Sequence, residues 1–387
     1  MAEFTHILHH KVIYSTGDTH GQGRRVLAFL DKVKAHSEAV GEHAAFIQLG
    51  DLCDAFSFPE DDSDDALRND VFDRMSRIPE LSLAMRDGRQ LVDWRLDNPK
   101  YDYYKGSLRG THDAMYLLEA GERDQLVAIY QAGKCFETLK LFCERQKANP
   151  EQFYVVFGNH DADLLRGKSD YGRQQKYLLL GLLGFSPDEV VAHMTKGTTN
   201  VILRAPWLAW LNQRPHLLLS RDTAYMHGGP TTALVQKLGH DHRAFRRWLR
   251  RADFARHEGW NHPLFKEHFS FLSPDGAPND WLRHPERIAS FCQAARVRYL
   301  AVGHSPFLDF EKGPLLDLKN ASAEDKSLFV TPALLPPDRR LIKHDTNLKR
   351  SGKLWACRHE TGSALWTAWD EWTCSESTMR KWTDDTE

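Results

Sequence analysis

Residues 153–161 read FYVVFGNHD, a short apolar run that ends abruptly in glycine followed by polar residues. Such a run is typical of a buried strand with a sharp turn at its carboxyl end, because glycine tolerates backbone conformations that other residues avoid. Four more runs end in the same way: KVIYST before GDTHG (17–21), AAFIQL before GDLCD (50–54), TAYM before HGG (227–229) and RYLAV before GHSP (303–306). We therefore predict five strands whose exits bring polar side chains to one edge, where open α/β sheets bind ligands.

Segments with helical periodicity lie between these runs, including RRVLAFLDKVKAH (24–36) and ETLKLFCERQK (137–147). The alternation of strand and helix predicts an α/β fold. Near the carboxyl end, RRLIKHD, KLWACRHE and ALWTAWDEW alternate like strands, and TGS fits a hairpin connection between the last two. We expect the tryptophans of these strands to pack against the core, namely Trp355, Trp366, Trp369 and Trp372.

The composition is that of an ordinary globular protein. Among 387 residues, 41% are hydrophobic, and 51 basic residues balance 53 acidic ones to give a net charge of −2. This near-neutral charge argues against a nucleic-acid substrate. Six cysteines are scattered without a CxxC pair, which favours a reducing compartment. Neither a signal peptide nor a long apolar segment is evident, so we predict a cytoplasmic protein without a membrane span.

The predicted strand exits share one chemical character, since each supplies carboxylate, amide or imidazole groups. These donors suit divalent manganese, iron or zinc, whereas the absence of thiolates from the set argues against a structural zinc site. One histidine at a strand end is more often structural. Five such exits, each preceded by an apolar run and flanked by glycine, favour a metal centre.

In this order, GDTHG, GDLCD, GNHD, HGG and GHSP resemble the signature blocks of the calcineurin-like metallophosphoesterases. The blocks HGG and GHSP are most similar to those of the phosphoprotein phosphatase group and its bacterial relatives, which include the diadenosine tetraphosphate hydrolases. The resemblance implies a four-layer α/β/β/α sandwich formed by a single catalytic domain over residues 1–387. The long interval between the second and third blocks then becomes a largely helical insertion or cap over residues 55–150.

The resemblance also implies roles for individual residues. Asp18 and His20 would bind one divalent ion, Asn159, His227 and His304 the other, and Asp51 would bridge the two. Manganese is the expected metal, with iron or zinc as alternatives. A hydroxide shared by the two ions would attack the phosphate ester in line. His160 would protonate the leaving oxygen, and Asp54 would orient the His160 ring.

One departure from the phosphatase pattern concerns substrate binding. That group usually follows its second block with Arg-Gly, whose guanidinium grips phosphate, but Ala55 and Phe56 stand here. The replacement cation would come from elsewhere, and the candidates are Arg24, Arg166 and the arginines of residues 243–256. Together with the long insertion, this departure favours small-molecule or peptide phosphoesters over large phosphoproteins as substrates.

Three functional hypotheses follow. The first is a dinuclear metal-dependent phosphomonoesterase. The second is a nucleotide pyrophosphohydrolase of the diadenosine tetraphosphate type, suggested by the continuation GNHDADLL. The third is a non-catalytic interaction module on the same fold, against which stands the complete set of ligand residues. The motifs specify neither the natural substrate nor the oligomeric state.

Overall fold

The computed structural model describes residues 9–53, 65–66, 69, 122–166, 206–229, 285–304, 332–335, 340–344 and 353–381. The secondary structure within these ranges is, in chain order, β1 (Val12–Thr16), α1 (Gly23–Ala39), β2 (Ala44–Gln48), α2 (Glu122–Ala148), β3 (Phe153–Val155), α3 (Asn159–Arg166), α4 (Pro206–Leu211), β4 (Leu217–Leu219), β5 (Thr223–Met226), α5 (Pro285–Ala295), β6 (Tyr299–Val302), β7 (Ala333–Leu335), β8 (Leu341–Lys343), β9 (Trp355–Glu360), β10 (Trp366–Asp370), β11 (Ser375–Thr378) and β12 (Arg380–Lys381).

The strands form two six-stranded sheets. The first sheet has the order β11-β10-β9-β1-β2-β3, and the second has the order β12-β7-β8-β6-β5-β4. Strands β1, β2 and β3 run parallel in the first sheet, and β5, β6 and β8 run parallel in the second. All five predicted strands with glycine exits are confirmed, as β1, β2, β3, β5 and β6. Both sheets therefore carry parallel strands whose carboxyl ends release the motif loops.

Side chains on β1 alternate between two apolar environments. Val12 and Tyr14 belong to a cluster with α1, α2 and α4, whereas Ile13 packs in a second cluster built from both sheets. Successive strand residues point to opposite faces, so a strand buried on both sides is apolar throughout. Core residues that face each other from the two sheets include Ile47, Tyr225 and Ile342.

These packing relations confirm the mixed α/β class with two sheets, and the four-layer order stays a prediction. The helix predicted over 24–36 is confirmed by α1, and the one predicted over 137–147 lies within α2. Helix α2 packs against α1 and β3. Most of residues 55–121 lie outside the described part of the chain, so the insertion over 55–150 also stays a prediction.

The closing strands are confirmed as β8, β9 and β10, and β9 pairs with β10 in antiparallel register. The expectation that their tryptophans pack holds for Trp366 and Trp369, which are 1% and 7% exposed. It is wrong for Trp372, which is 72% exposed. Trp372 follows the end of β10 in a turn, where the alternation of a strand no longer directs its ring to the core.

Two polar bridges cross between the sheets. Ser15 on β1 places its hydroxyl 2.7 Å from Nε2 of His344, which follows β8. At the opposite end of the sheets, Nε2 of His359 on β9 lies 3.1 Å from each carboxylate oxygen of Asp222, beside β5. The His359 ring also stacks on Trp366, with ring centroids 4.2 Å apart. These contacts fix how the two sheets sit relative to each other.

Replacing Asp222 with asparagine should lower the free energy of unfolding by about 1 kcal/mol at neutral pH, since solvent weakens the charge-assisted bond to His359. Burial raises the pKa of Asp222, but the hydrogen bond and charge of His359 outweigh it and lower that pKa. The carboxylate therefore stabilises the fold fully above its ordinary pKa, and that contribution is lost as pH falls through the lowered value. Urea denaturation of wild type and variant should show a difference in unfolding free energy that stays constant from about pH 7 to about pH 5 and narrows at lower pH.

The matched control for this prediction is Glu360→Gln, next to His359 on β9. Glu360 pairs with Lys11 at 2.8 Å, and the two side chains are 39% and 79% exposed, so solvent weakens the pair and its removal should leave stability nearly unchanged. A difference for Asp222→Asn that stays constant or widens below about pH 5 would contradict the assignment.

Candidate metal centre

The predicted ligands converge at the seam between the two sheets. Asp18, Asp51 and Asn159 follow β1, β2 and β3 of the first sheet, whereas His227 and His304 follow β5 and β6 of the second. Parallel strands present their carboxyl ends at the same edge, so five separate loops meet there. Each of these five side chains is buried. The site therefore exists only when both sheets are folded and docked.

Asp51 lies at the middle of this cluster. One carboxylate oxygen accepts a hydrogen bond of 2.9 Å from the backbone N–H of His160, and the other lies 3.2 Å from Nε2 of His227. Burial raises the pKa of Asp51, but its electrostatic interactions with His227, His160 and His20 outweigh burial and hold the pKa well below its ordinary range. Asp51 is therefore ionised and can offer both oxygens.

The first group of converging donors consists of Asp18, His20 and Asp51, whose ligand atoms all lie within 4.8 Å of one another. Nδ1 of His20 lies 3.2 Å from the carbonyl oxygen of Cys53, to which it can only donate a proton. This bond leaves the lone pair on Nε2, which faces Asp18 at 3.5 Å. A histidine held in this tautomer by a backbone carbonyl is typical of metal ligands.

The second group consists of Asp51, His227 and His304, again with ligand atoms within 4.8 Å of one another. Nδ1 of His227 lies 2.7 Å from the carbonyl oxygen of Leu49, so it donates there and Nε2 points into the site. That Nε2 lies 2.7 Å from Oδ1 of Asn159 and 3.2 Å from Nδ1 of His304. Several electron-pair donors thus converge on one point, and a divalent cation satisfies them together.

The pKa values of the two histidines in this second group indicate that the site favours a positive charge. Burial lowers the pKa of His227, but Asp51 and Asp18 outweigh it and raise the pKa to about 10. Burial, together with the charge of His227, lowers the pKa of His304 to about 4. A proton on His227 therefore supplies one positive charge among the donors, and a bound cation would displace that proton.

Three of the candidate ligands have left-handed backbone conformations. The φ angles of His20, Asp51 and His304 are 45°, 51° and 62°. Such angles cost roughly 1–2 kcal/mol for residues other than glycine, and they concentrate at functional sites. Backbone N–H groups of Thr19 and His20 both donate to the carbonyl oxygen of Asp51, at 3.1 and 2.8 Å, and so hold the two loops together. The strand exits are strained in the conformation that aims their side chains at the seam.

Glycines allow the loops to cross at close range. A Cβ atom on Gly158 would lie 2.1 Å from the backbone nitrogen of Asp51. A Cβ atom on Gly303 would lie 2.6 Å from a carboxylate oxygen of Asp18, the same oxygen that accepts a 2.9 Å bond from the His304 N–H. The motif glycines therefore make room for neighbouring motif loops as well as for turns.

His160 differs from the predicted ligands in its surroundings. It lies at the start of α3, and its side chain is 19% exposed, with Nε2 3.9 Å from the nearer oxygen of Asp51. Its ring meets the ring of His20 edge-on, with centroids 5.5 Å apart. It is thus both adjacent to the metal candidates and open to solvent. Its predicted partner, Asp54, lies outside the described residues.

The structure adds Asp161, to which the motif analysis assigns no role. Its fully buried carboxylate accepts hydrogen bonds from the backbone N–H groups of Leu52, Cys53 and Gly158, at 2.9, 3.2 and 3.1 Å. Burial and the charge of Asp51 raise the pKa of Asp161 to about 7. Asp161 ties the second motif loop to the third. The signal in the sequence is the acidic residue that closes GNHD.

The structure also adds Gln48, the last residue of β2 and 0% exposed. Its carboxamide bonds to the loops that carry Asp18 and Asp51. The signal in the sequence is a polar amide that ends an otherwise apolar strand, two residues before the glycine of GDLCD.

The candidate phosphate-binding arginines have different outcomes. Arg24 on α1 forms an ion pair through Nε with the buried Glu137 on α2, while its side chain is 48% exposed, so its role stays a prediction. The side chain of Arg166 and residues 243–256 lie outside the described part of the chain, as do Ala55 and Phe56. The replacement for the missing arginine therefore stays a prediction.

Comparison with known proteins decides the family. The model of the calcineurin-like phosphoesterase family matches residues 110–307, more than half of the chain. The chain belongs to the calcineurin-like phosphoesterase family. It is therefore a metal-dependent phosphoesterase that hydrolyses phosphoesters. The matched range includes Asn159, His227 and His304, and the structure brings Asp18 and Asp51, which lie before that range, to the same seam.

Solved structures similar to this chain include a cold-active protein tyrosine phosphatase, with a TM-score of 0.45, 13% identity, and coverage of 98% of this chain and 81% of that chain. Another is the cold-active protein-tyrosine phosphatase of a psychrophilic Shewanella species, with a TM-score of 0.46, 14% identity, and coverage of 98% and 82%. These low scores and identities carry no argument about function. No curated protein matches the chain.

The family implies divalent metal ions, and the two donor groups fit them because both consist of carboxylate oxygens and imidazole nitrogens. Among the helices within the described ranges, none has both the length and the apolar character needed to span a bilayer.

Proposed function

We propose that this protein is a dinuclear phosphomonoesterase that acts on small-molecule or peptide phosphoesters with two manganese ions. The observation that carries the proposal is that the two donor groups share Asp51. A carboxylate has two oxygens and can hold two cations roughly 3.5–4 Å apart. In this assignment Asp18 and His20 hold one ion, Asn159, His227 and His304 hold the other, and Asp51 bridges them. When bound, two such ions polarise phosphoryl oxygens and activate a water molecule for in-line attack.

The residues of the chain contribute orientation and proton transfer. The backbone bonds of His20 and His227 hold both rings in the tautomer that presents Nε2 to the site. His160 is the predicted acid that gives its proton to the leaving oxygen, and its partial exposure leaves room for a substrate beside it. Asp54 is the proposed partner that orients the His160 ring.

The proposal is tested by metal reconstitution. Metal-stripped protein should hydrolyse 4-nitrophenyl phosphate only after Mn²⁺ is added, and activity should reach a plateau at two ions per chain. Hydrolysis of diadenosine tetraphosphate to ADP, with 4-nitrophenyl phosphate left intact, would replace the proposal by the pyrophosphohydrolase hypothesis. Binding of less than one ion per chain without turnover of either compound would favour the interaction module.

Replacing His160 with alanine should lower kcat by roughly 10²- to 10⁴-fold for alkyl phosphates, because a poor leaving group needs a proton. The loss should be much smaller for 4-nitrophenyl phosphate, whose leaving group is stable as an anion. Both rates are measured with metal-saturated enzyme, and bound metal is measured by elemental analysis.

The matched control is His43→Ala, which removes an exposed histidine that precedes β2, at the end opposite to Asp51. It should leave both substrates unaffected. Equal losses for the two substrates in His160→Ala, accompanied by loss of a metal ion, would instead make His160 a ligand.

A cytoplasmic location forms part of the proposal. All six cysteines lie in described residues, and all six are free thiols. Unpaired thiols are the usual state in a reducing compartment.

A further inference from the structure

Gln48 connects two loops that each carry a candidate metal ligand. Its side-chain N–H₂ group donates to the carbonyl oxygen of Gly17 at 3.2 Å and to the hydroxyl oxygen of Thr19 at 3.0 Å. These two residues flank Asp18. The same N–H₂ group donates to the carbonyl oxygen of Gly50, and the backbone N–H of Gly50 donates to the side-chain oxygen of Gln48 at 2.9 Å. Gly50 immediately precedes Asp51.

These partners fix the orientation of the carboxamide. An N–H donor can only face the oxygen end, and carbonyl acceptors can only face the nitrogen end. The Gly50 N–H and the Gly17 carbonyl therefore select a single orientation. No other uncharged side chain of similar length both accepts at one atom and donates two protons at another.

The braced segment is strained. Asp51 has a positive φ angle of 51°, which is unfavourable for a residue other than glycine, whereas Gly50 adopts its φ angle of 92° without strain. A conformation of this kind persists only when surrounding contacts over-determine it. Without the carboxamide, the backbone groups of the buried Gly50 and the half-buried Gly17 would lose a partner, at a cost of about 1–3 kcal/mol for each group that water does not reach.

We infer that Gln48 is a positioning residue that sets the spacing between Asp18 and Asp51, and thereby the affinity of the group formed by Asp18, His20 and Asp51 for a divalent ion. This inference rests on the proposed function of the site. The side-chain bonds of Gln48 go to Gly17, Thr19 and Gly50 and not to a candidate ligand side chain, so Gln48 acts through the two loops. Gln48 is linked to the group formed by Asp51, His227 and His304 only through its bonds to Gly50, the residue before Asp51. The affinity of that group for an ion should therefore be less sensitive to changes at position 48.

The test is a Mn²⁺ titration of metal-stripped protein, followed by electron paramagnetic resonance and calorimetry. Gln48→Met keeps the length of the side chain and removes every hydrogen bond. We expect it to lower the affinity for one of the two ions, the one bound by Asp18, His20 and Asp51, by about 10- to 100-fold, as for other residues that orient metal ligands. The second ion should bind nearly as in wild type. His20→Ala serves as the reference for loss of the first ion, and His304→Ala as the reference for loss of the second.

Two further variants separate hydrogen bonding from packing. Gln48→Glu retains an acceptor for the Gly50 N–H but turns a carboxylate toward the carbonyl oxygens of Gly17 and Gly50. It should therefore also lower the affinity for the first ion. Gln152→Met is the matched control, because Gln152 bonds to His43 at a solvent-exposed position before β3. It should bind both ions as wild type does.

Thermal unfolding of the metal-free variants completes the test. If Gln48→Met binds both ions like wild type, or weakens both equally in proportion to a lower melting temperature, the positioning role is overturned. Failure of the proposed function has a different signature. It would appear in the wild type itself as binding of fewer than two ions or as absence of metal-dependent hydrolysis.

Discussion

Replacing Asp51 with asparagine should remove nearly all activity of the metal-loaded enzyme and lower kcat/KM by roughly 10³-fold or more. Asparagine keeps one carbonyl oxygen, which can serve one ion, and puts an N–H₂ group in place of the other oxygen. That oxygen lies 3.2 Å from Nε2 of His227, where a cation is expected. The variant should therefore hold one ion instead of two, as measured by elemental analysis beside the rate of 4-nitrophenyl phosphate hydrolysis.

The control for Asp51→Asn is Asp31→Asn on α1. Asp31 receives hydrogen bonds from Arg145, and its side chain is 53% exposed, so its replacement removes a carboxylate far from any motif loop. It should keep wild-type kcat/KM and two bound ions. An Asp51→Asn variant that binds two ions and retains more than a tenth of the wild-type rate would contradict the bridging role.

Replacing Gly158 with alanine should damage both the fold and the site. The new methyl group would lie 2.1 Å from the backbone nitrogen of Asp51 and 2.2 Å from a carboxylate oxygen of the same residue. The nitrogen belongs to the backbone, and the carboxylate oxygen is held by the His160 N–H at 2.9 Å, so the second motif loop itself must move. We expect a loss of about 3 kcal/mol in the free energy of unfolding, the upper end for overpacked interiors. We also expect roughly a 10²-fold loss in kcat/KM from misplaced ligands.

Gly41→Ala separates steric conflict from backbone strain. Gly41 has a φ angle of 75°, but no atom lies within 4 Å of the position of its Cβ. Alanine there should cost about 1 kcal/mol of stability and leave kcat/KM unchanged. Urea denaturation and steady-state kinetics measure both quantities. If Gly158→Ala were no more harmful than Gly41→Ala, the close approach of the loops would not limit this position.

The sequence predicts the strand exits well because their signal is local. Each exit combines an apolar run with a glycine, and both features report on a few neighbouring residues. The roles of Gln48 and Asp161 escape this reasoning. Each depends on which loops cross in space, and the bonds join residues such as Gln48 with Gly17 and Asp161 with Leu52. The prediction that Trp372 is buried is wrong for a related reason, because the alternating pattern in the sequence extends past the last residue of strand β10.

The packing of two sheets against each other could be predicted only from the family resemblance. Strand periodicity indicates that β1 is buried on both faces, but it does not say which strands lie opposite. The bridge from Ser15 to His344 links residues more than three hundred positions apart. Neither partner carries a motif, so no spacing rule connects them.

The location of the candidate metal ligands between the two sheets has a consequence for folding. An ion that needs ligands from both sheets has little affinity for a chain in which only one sheet is formed. Binding therefore favours the fully assembled state, by about 2.7 kcal/mol at an ion concentration one hundred times Kd. A bound metal ion would hold the two sheets together. The availability of metal in the surroundings would then set how long the protein stays folded as well as its rate of catalysis.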